Sequence, residues 1–374
     1  MSESAKPSRR EVLGMLASAG LIANAPAWAA DSPAGAEQTQ SRWWKGNLHT
    51  HTFWSDGDDF PEMVAQWYKD RGYHFLSLSD HNRLSIGHRW MEVTDKQKAA
   101  FERYLARFTD RWVETRKGEK GQTEVRLKPL SELRCLFEQP GRFLMIQAEE
   151  ITDKPHLNAI NLLDLIPPQG GATMAEILQN NVNAVLKQQK QTGQPMLVQI
   201  NHPNFQWALT AEDMAGIQGA RFFEVYNAHG YVNNDGDDLR ASTERMWDIV
   251  LAARLSGPSG EILYGVATDD AHNYHKFEPR AANPGQAWIV VRAGRLTPES
   301  LIRAMNAGDF YCSTGVTLKD VAFQDGRLTV QVDPEPGVTY KIRFLGTRRG
   351  CDLTGRQVVN AEGKTVRTTH SYSP

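Results

Sequence analysis

The chain has 374 residues, 40% of them hydrophobic and 23% charged, which is enough to bury one large core or two. Its formal net charge of −2 gives no electrostatic footprint for nucleic acid or for an anionic membrane surface. The three cysteines, Cys135, Cys312 and Cys351, are too few for a disulfide scaffold and lack metal-type spacing, which leaves a Cys312–Cys351 bridge open only in an oxidising compartment.

Residues 1–30 read as a twin-arginine export signal. Ser8-Arg9-Arg10-Glu11-Val12-Leu13 precedes a short apolar run over 16–25, and Ala27-Trp28-Ala29 supplies a small-x-small cleavage site. Val12 stands where that pattern usually has Phe. A polar linker, 31–43, follows, and nothing else approaches the length of a membrane span. The expectation is a periplasmic or secreted protein that meets the twin-arginine export machinery and carries no stable membrane anchor.

Six apolar segments then carry residues able to bind a metal at one end. They are 46–51 with His49, His51 and the following Asp56; 75–79 into Asp80 and His81; and 143–148 into Glu149 and Glu150. Next come 157–163, led in by His156; 196–201 into His202; and 262–268 into Asp269, Asp270 and His272. With 221–226 and 286–291 there are about eight strand candidates, alternating with helices opened at Pro61, Thr173, Thr210, Leu239 and Thr297. That alternation predicts an α/β fold, a distorted parallel barrel of seven or eight strands whose ligands gather at one face. Residues 88–140, with a helix expected over 96–112 and a polar tract over 116–128, interrupt the rhythm as an insertion over or beside the barrel mouth. After residue 315 the pattern alternates like antiparallel strands over 316–323, 327–332 and 339–345, so 316–374 reads as a small β domain.

His49 and His51, two apart in an extended segment, face the same way. Neighbours Glu149 and Glu150 face opposite ways, so only one of them can enter a cluster; the residues alone leave open which, as they do for Asp269 and Asp270. His-Thr-His followed by Ser-Asp-Gly, then Ser79-Asp80-His81-Asn82, Glu150-Ile151-Thr152 with His156, Asn201-His202-Pro203-Asn204 and Asp270-Ala271-His272 resemble, in order, the motifs of the polymerase and histidinol phosphatase (PHP) superfamily. The resemblance covers about 44–315 and is nearest the stand-alone exported metallohydrolase branch that includes carbamate hydrolases. It implies a PHP-type barrel, selects Glu150 and Asp270, and implies a trinuclear centre bridged by Glu150.

His49, His51, Asp56, His81, Glu150, His156, His202, Asp270 and His272 are nine candidate ligands, whereas one first-row ion takes about four to six. Two or three divalent ions are therefore expected, and imidazole with carboxylate favours manganese, zinc or iron. No Gly-rich phosphate cradle follows a strand and no Gly-x-Ser-x-Gly elbow is present, so the expected nucleophile is a metal-activated water. The preferred expectation is a phosphoesterase acting on a small-molecule monoester or diester. A carboxylic ester, amide or carbamate hydrolase on the same centre, and an exported metal- or ligand-binding protein without turnover, are the alternatives. Asp270, His229 and Arg83 are the candidate catalytic residues, with Asn204 a further candidate for substrate contact. His275 is equally a candidate acid or a loop residue, and His74 and His88 are expected on the surface or in packing.

Overall fold

The computed structural model describes residues 41–257 and 260–346, together with 12–13, 359, 362 and 363. The first half of the chain carries β1 (Val12–Leu13), β2 (Arg42–Asn47), α1 (Pro61–Asp70), β3 (Phe75–Leu78), β4 (Arg89–Glu92), α2 (Asp95–Trp112), β5 (Thr115–Lys117), β6 (Thr123–Leu127), α3 (Leu130–Phe137), β7 (Leu144–Thr152) and β8 (His156–Ile160). The second half carries α4 (Met174–Thr192), β9 (Leu197–Ile200), α5 (Ala211–Ala215), β10 (Phe222–Asn227), α6 (Thr243–Ser256), β11 (Tyr264–Thr268), β12 (Trp288–Ala293), α7 (Pro298–Ala307), β13 (Phe310–Ser313), β14 (Leu318–Gln324) and β15 (Arg327–Val332).

Nine strands curl into a nearly closed, barrel-like sheet in the order β13-β12-β2-β3-β7-β8-β9-β10-β11, and β1 pairs with the other edge of β13. Strand β11 lies against β12 and β13 without a ladder, and Cys312 Sγ reaches Gly265 O at 3.7 Å across that seam. The sheet is mixed rather than all parallel, because β8 and β12 run against both of their neighbours. That direction explains the one segment whose metal-type residue comes first. Strand β8 starts at the end of the sheet where β3, β7 and β9 finish, so His156 at its first position joins the residues that follow the others.

At the opposite end, Trp44, Phe75, Ile160, Leu197, Phe222 and Tyr264 from six different strands form an apolar plug. Each such side chain, fully buried, stabilises the fold by about 1.5–3 kcal/mol relative to exposure. Helix ends follow the expected caps: Thr173 accepts from Glu176 N, Thr210 and Asp213 form a reciprocal capping box, and Gly193 and Gly308 close α4 and α7 in the left-handed region. Helix α6 starts at Thr243, not at Leu239, because the Ser242 side chain accepts from Arg245 N and defines the first turn.

The segment 88–140 forms a three-stranded sheet, β4-β6-β5, together with α2 and α3. Its polar tract contains β5 and β6, where Arg126 binds Glu114 and Glu132 at 2.6 and 2.9 Å. Tyr104, Val125 and Leu127 pack on Phe53, Trp54 and Phe60, which places the insertion beside the loop that leaves β2. Strands β14 and β15 form a hairpin whose Leu318 and Val321 pack on Val290 and Tyr311. The expected third strand over 339–345 is absent from the described residues, and Cys351 lies outside them. Residues 1–30, read as the export signal, also lie outside them except for Val12 and Leu13, which pair with Ser313 and Cys312. Among the described residues no helix is long and apolar enough to cross a membrane.

Candidate metal centre

Strand β2 ends at Asn47, so His49 and His51 follow the strand instead of lying on it. Asn47 turns the chain there: its Oδ1 accepts from His49 N at 3.0 Å while its Nδ2 donates to Ala287 O at 3.0 Å. The extended segment beyond is pinned by His51 N donating to Ala271 O at 3.0 Å. Glu150 lies inside β7, paired with Asn158 of β8, and Glu149 beside it faces away and accepts from Ile166 N at 2.7 Å. Asp270 and Asn82 adopt φ of 48°, a left-handed conformation that Asp and Asn tolerate best, and each sits next to or within the cluster.

All nine candidate ligands come together in overlapping groups whose donor atoms lie within 4.8 Å of one another. The groups are His51, Asp56, His81 and His272; His49, His51 and Asp270; His49, Glu150 and His202; and His81, Glu150 and His156. Glu150 belongs to two of the groups and is fully buried. Its Oε1 lies 3.1 Å from His156 Nδ1 and 3.2 Å from His202 Nε2, and its Oε2 lies 2.8 Å from His81 Nδ1. His49 Nε2 and His51 Nε2 both aim at Asp270 Oδ1, at 3.2 and 3.1 Å.

The residues around the cluster hold it in place. Glu224, in the middle of the apolar strand β10, lies 2.6 Å from His49 Nδ1 and accepts from Thr268 Oγ1, Gln199 Nε2, His202 N and Asn227 Nδ2 at 2.6–3.0 Å. A carboxylate on Nδ1 fixes the His49 tautomer and leaves Nε2 as a lone-pair donor facing Glu150 and Asp270. Asn201 donates to Glu150 Oε1 at 2.8 Å, Asn227 to Asp270 Oδ2 at 3.1 Å, and Thr152 Oγ1 lies 2.6 Å from His81 Nδ1. Behind the centre Asp269 accepts from Tyr68 Oη and from the backbone N–H groups of Gly285, Gln286 and Ala287 at 2.7–2.8 Å, and Asp80 gathers the 52–55 loop through Thr52 and Ser55. Burial pushes both of these carboxyls up to about 6 in spite of those donors.

Carboxylates and imidazoles in the cluster shift one another's charge, and burial opposes both, yet the neighbouring carboxylates still raise His49, His81 and His202 above the ordinary imidazole value. Burial alone would raise Glu150 and Asp270, yet the surrounding imidazoles, His49 foremost, hold both well below the usual carboxylate range. Reciprocally, burial disfavours charge on His272, but Asp56 and Asp270 outweigh it and raise the group to about 9. His51 goes the other way, pushed down to about 3 by burial and by the neighbouring His272 and His81. His49 Nε2, His51 Nε2 and Glu150 Oε2 are buried and make no well-aligned hydrogen bond, although they lie near one another. Imidazole nitrogens and carboxylate oxygens, desolvated and aimed at a common space, fit divalent cations, whose binding would displace the protons that the carboxylates draw onto rings such as His49 and His272.

Other candidates fall outside this core. His229 borders it, its ring 5.5 Å from that of His272, and its Nδ1 accepts from Tyr231 N at 3.3 Å, which leaves the ring proton on Nε2. Arg83 is exposed two residues beyond His81, and among the described residues no ion pair ties its guanidinium to the cluster. Asn204 is buried and donates to Asn233 O and Ala241 O at 2.9 and 3.0 Å, so it braces two loops and does not face a substrate. His275 Nε2 lies 3.0 Å from Asp58 O, His74 Nδ1 accepts from Lys45 N, and His88 is exposed. Sequence reasoning missed Glu224, Asn201 and Thr152. The signal available for the first was a carboxylate in the centre of Phe-Phe-Glu-Val-Tyr, a position burial otherwise reserves for apolar side chains.

No protein-family model matches the chain, and no curated protein matches it. Among solved structures it is similar to a two-domain protein containing a predicted PHP-like metal-dependent phosphoesterase from Bacteroides vulgatus, at 14% identity and a TM-score of 0.41, over 78% of this chain and 76% of that one. It is also similar to PsfC from Pseudomonas syringae, at 12% identity and a TM-score of 0.36, over 71% and 88%. At these TM-scores neither likeness carries an argument about fold or chemistry.

Proposed function

We propose that this chain is a metal-dependent hydrolase of the PHP superfamily, and specifically a phosphoesterase acting on a small phosphomonoester or phosphodiester. The observation that carries the reading is the gathering of nine donors, in the order of the PHP motifs, into four overlapping groups, two of which share the buried Glu150. His49, His51, Asp56, His81, Glu150, His156, His202, Asp270 and His272 would hold two or three divalent ions, manganese, zinc or iron by donor type. Bound there, such ions supply Lewis acidity toward phosphoryl oxygens and a water acidic enough to ionise near neutral pH.

The chain's own residues do the rest. Glu224 keeps His49 in the ligating tautomer, while Asn201 and Asn227 orient Glu150 and Asp270. His229, which burial and its neighbouring histidines keep neutral with the proton on Nε2, would donate a hydrogen bond to a leaving oxygen, and that oxygen would take its proton from solvent. Arg83, exposed next to the cluster, meets an anionic substrate on entry. The Arg9-Arg10 segment supports export of the folded, metal-loaded protein to the periplasm or beyond.

The test is turnover of p-nitrophenyl phosphate, bis-p-nitrophenyl phosphate and p-nitrophenyl acetate by protein reconstituted with manganese or zinc. Phosphoester hydrolysis lost on chelation supports the reading. Hydrolysis of the acetate alone transfers the same centre to acyl chemistry, and metal retained without turnover on any of the three points to a binding protein.

A further inference from the structure

We propose that a cleft beside the cluster is the subsite for the leaving group, and that the group it takes is a planar aromatic or heteroaromatic ring. The inference rests on the hydrolase reading for its neighbour but on separate residues. The cleft has a volume of about 720 Å³ and is lined by Phe205, Tyr226, Tyr231, Asp235 and Arg280 among others.

An unbroken series of rings joins it to the metal ligands. Phe205 stands 5.3 Å from His202 and 5.7 Å from His229, centroid to centroid, and His229 stands 5.5 Å from both Tyr231 and His272. A substrate whose ester oxygen lay at His229 would therefore extend its leaving group between Phe205 and Tyr231. Tyr231 is 69% exposed, a large ring left open to solvent at the wall of a cleft.

The backbone is built to hold these rings. Gln206 and Trp207, directly after Phe205, both adopt left-handed φ, 50° and 57°, a conformation neither residue favours and one that persists only where surrounding contacts enforce it. Phe205 bridges to Val232, so the two loops forming the walls are tied together. Gly230 admits the opposite wall, since a Cβ there would sit 2.0 Å from Arg280 O.

The lining selects a class. Three rings with interspersed amides suit a flat face with polar edges better than an alkyl chain, which would need continuous apolar walls. Asp235 and Arg280 offset each other, so the cleft does not select for net charge.

The experiment is calorimetric titration of metal-loaded protein with methyl-, cyclohexyl- and phenylphosphonate, for wild type and Tyr231→Ala. Because Tyr231 is largely exposed, the truncation leaves the core intact. Stacking on two rings predicts phenylphosphonate binding roughly tenfold tighter than methylphosphonate, with most of that ratio lost in Tyr231→Ala. Equal affinity for phenyl and cyclohexyl, no phenyl preference, an unchanged ratio in the variant, or no binding of any of the three overturns the proposal. An aryl preference in a protein that turns over no phosphoester would keep the subsite and sink the phosphoesterase reading. Phosphoester turnover without an aryl preference would do the reverse.

Discussion

Replacing Glu224 with Gln tests how the centre is assembled without touching a proposed ligand. Glu224 receives five donors: His49 Nδ1, Gln199 Nε2 and Thr268 Oγ1 at Oε1, and His202 N and Asn227 Nδ2 at Oε2. An amide keeps one acceptor oxygen and turns an NH2 toward the other set. If the NH2 takes the Oε2 position, the His202 and Asn227 donors lose their acceptor; at about 1–3 kcal/mol for each buried donor, the metal-free protein loses about 2–6 kcal/mol. If it takes the Oε1 position, His49 must move its proton to Nε2 and can no longer ligate. Outer carboxylates of this kind typically change metal affinity by about 10- to 100-fold, and a loss in that range is expected here. Chelator-competition titration with zinc reads the affinity, and denaturant unfolding of the metal-free proteins reads the stability. A Glu224→Gln variant with unchanged zinc affinity and an unchanged unfolding midpoint would refute the reasoning.

Glu150→Gln should lose at least one ion and nearly all turnover, whereas Glu149→Gln, whose side chain faces Ile166, should keep its metal; metal analysis of the pair that gave the reverse pattern would move the role to Glu149. Glu62 is fully buried under Tyr104 Oη and Trp112 Nε1, and burial raises its carboxyl above the ordinary value. The folded state therefore keeps a proton that the unfolded chain releases above about pH 4.5, so this group makes stability decline as pH rises beyond that value. Glu62→Gln, which keeps one acceptor oxygen for both donors, should flatten that decline above about pH 4.5; parallel unfolding midpoints with rising pH in wild type and variant would contradict it. Exchanging Arg9-Arg10 for Lys-Lys should hold the protein in the cytoplasm, because the ammonium does not reproduce the guanidinium donor geometry, and mature protein still found in the periplasm on fractionation would refute export.

Much of the barrel was legible because its strands are short apolar runs closed by Gly, Asn or Asp, and because capped helices separate them. Strand direction was less so. An antiparallel β8 and a parallel one bury the same Leu-Asn-Ala-Ile pattern, and only the early position of His156 hinted that the strand starts where others end. The polar strands β5 and β6 read as a loop because Arg116 pairs with Glu124 across the small sheet and Arg126 with Glu114 and Glu132, which leaves little apolar alternation. Placement of the nine ligand candidates followed from His, Asp and Glu standing beside apolar runs. The supporting roles of Glu224 and Asp269 were not legible because their partners are long-range: donors 25 and 44 residues away from Glu224, and Tyr68 some 201 residues from Asp269, appear only once the sheet has curled.

The central claim is that these nine side chains form one polynuclear metal site. Elemental analysis of purified protein, reconstituted with manganese or zinc and dialysed free of excess, tests it most directly. The account predicts about two or three ions retained per chain, since nine donors exceed what one ion coordinates. Retention of one ion or none would contradict it.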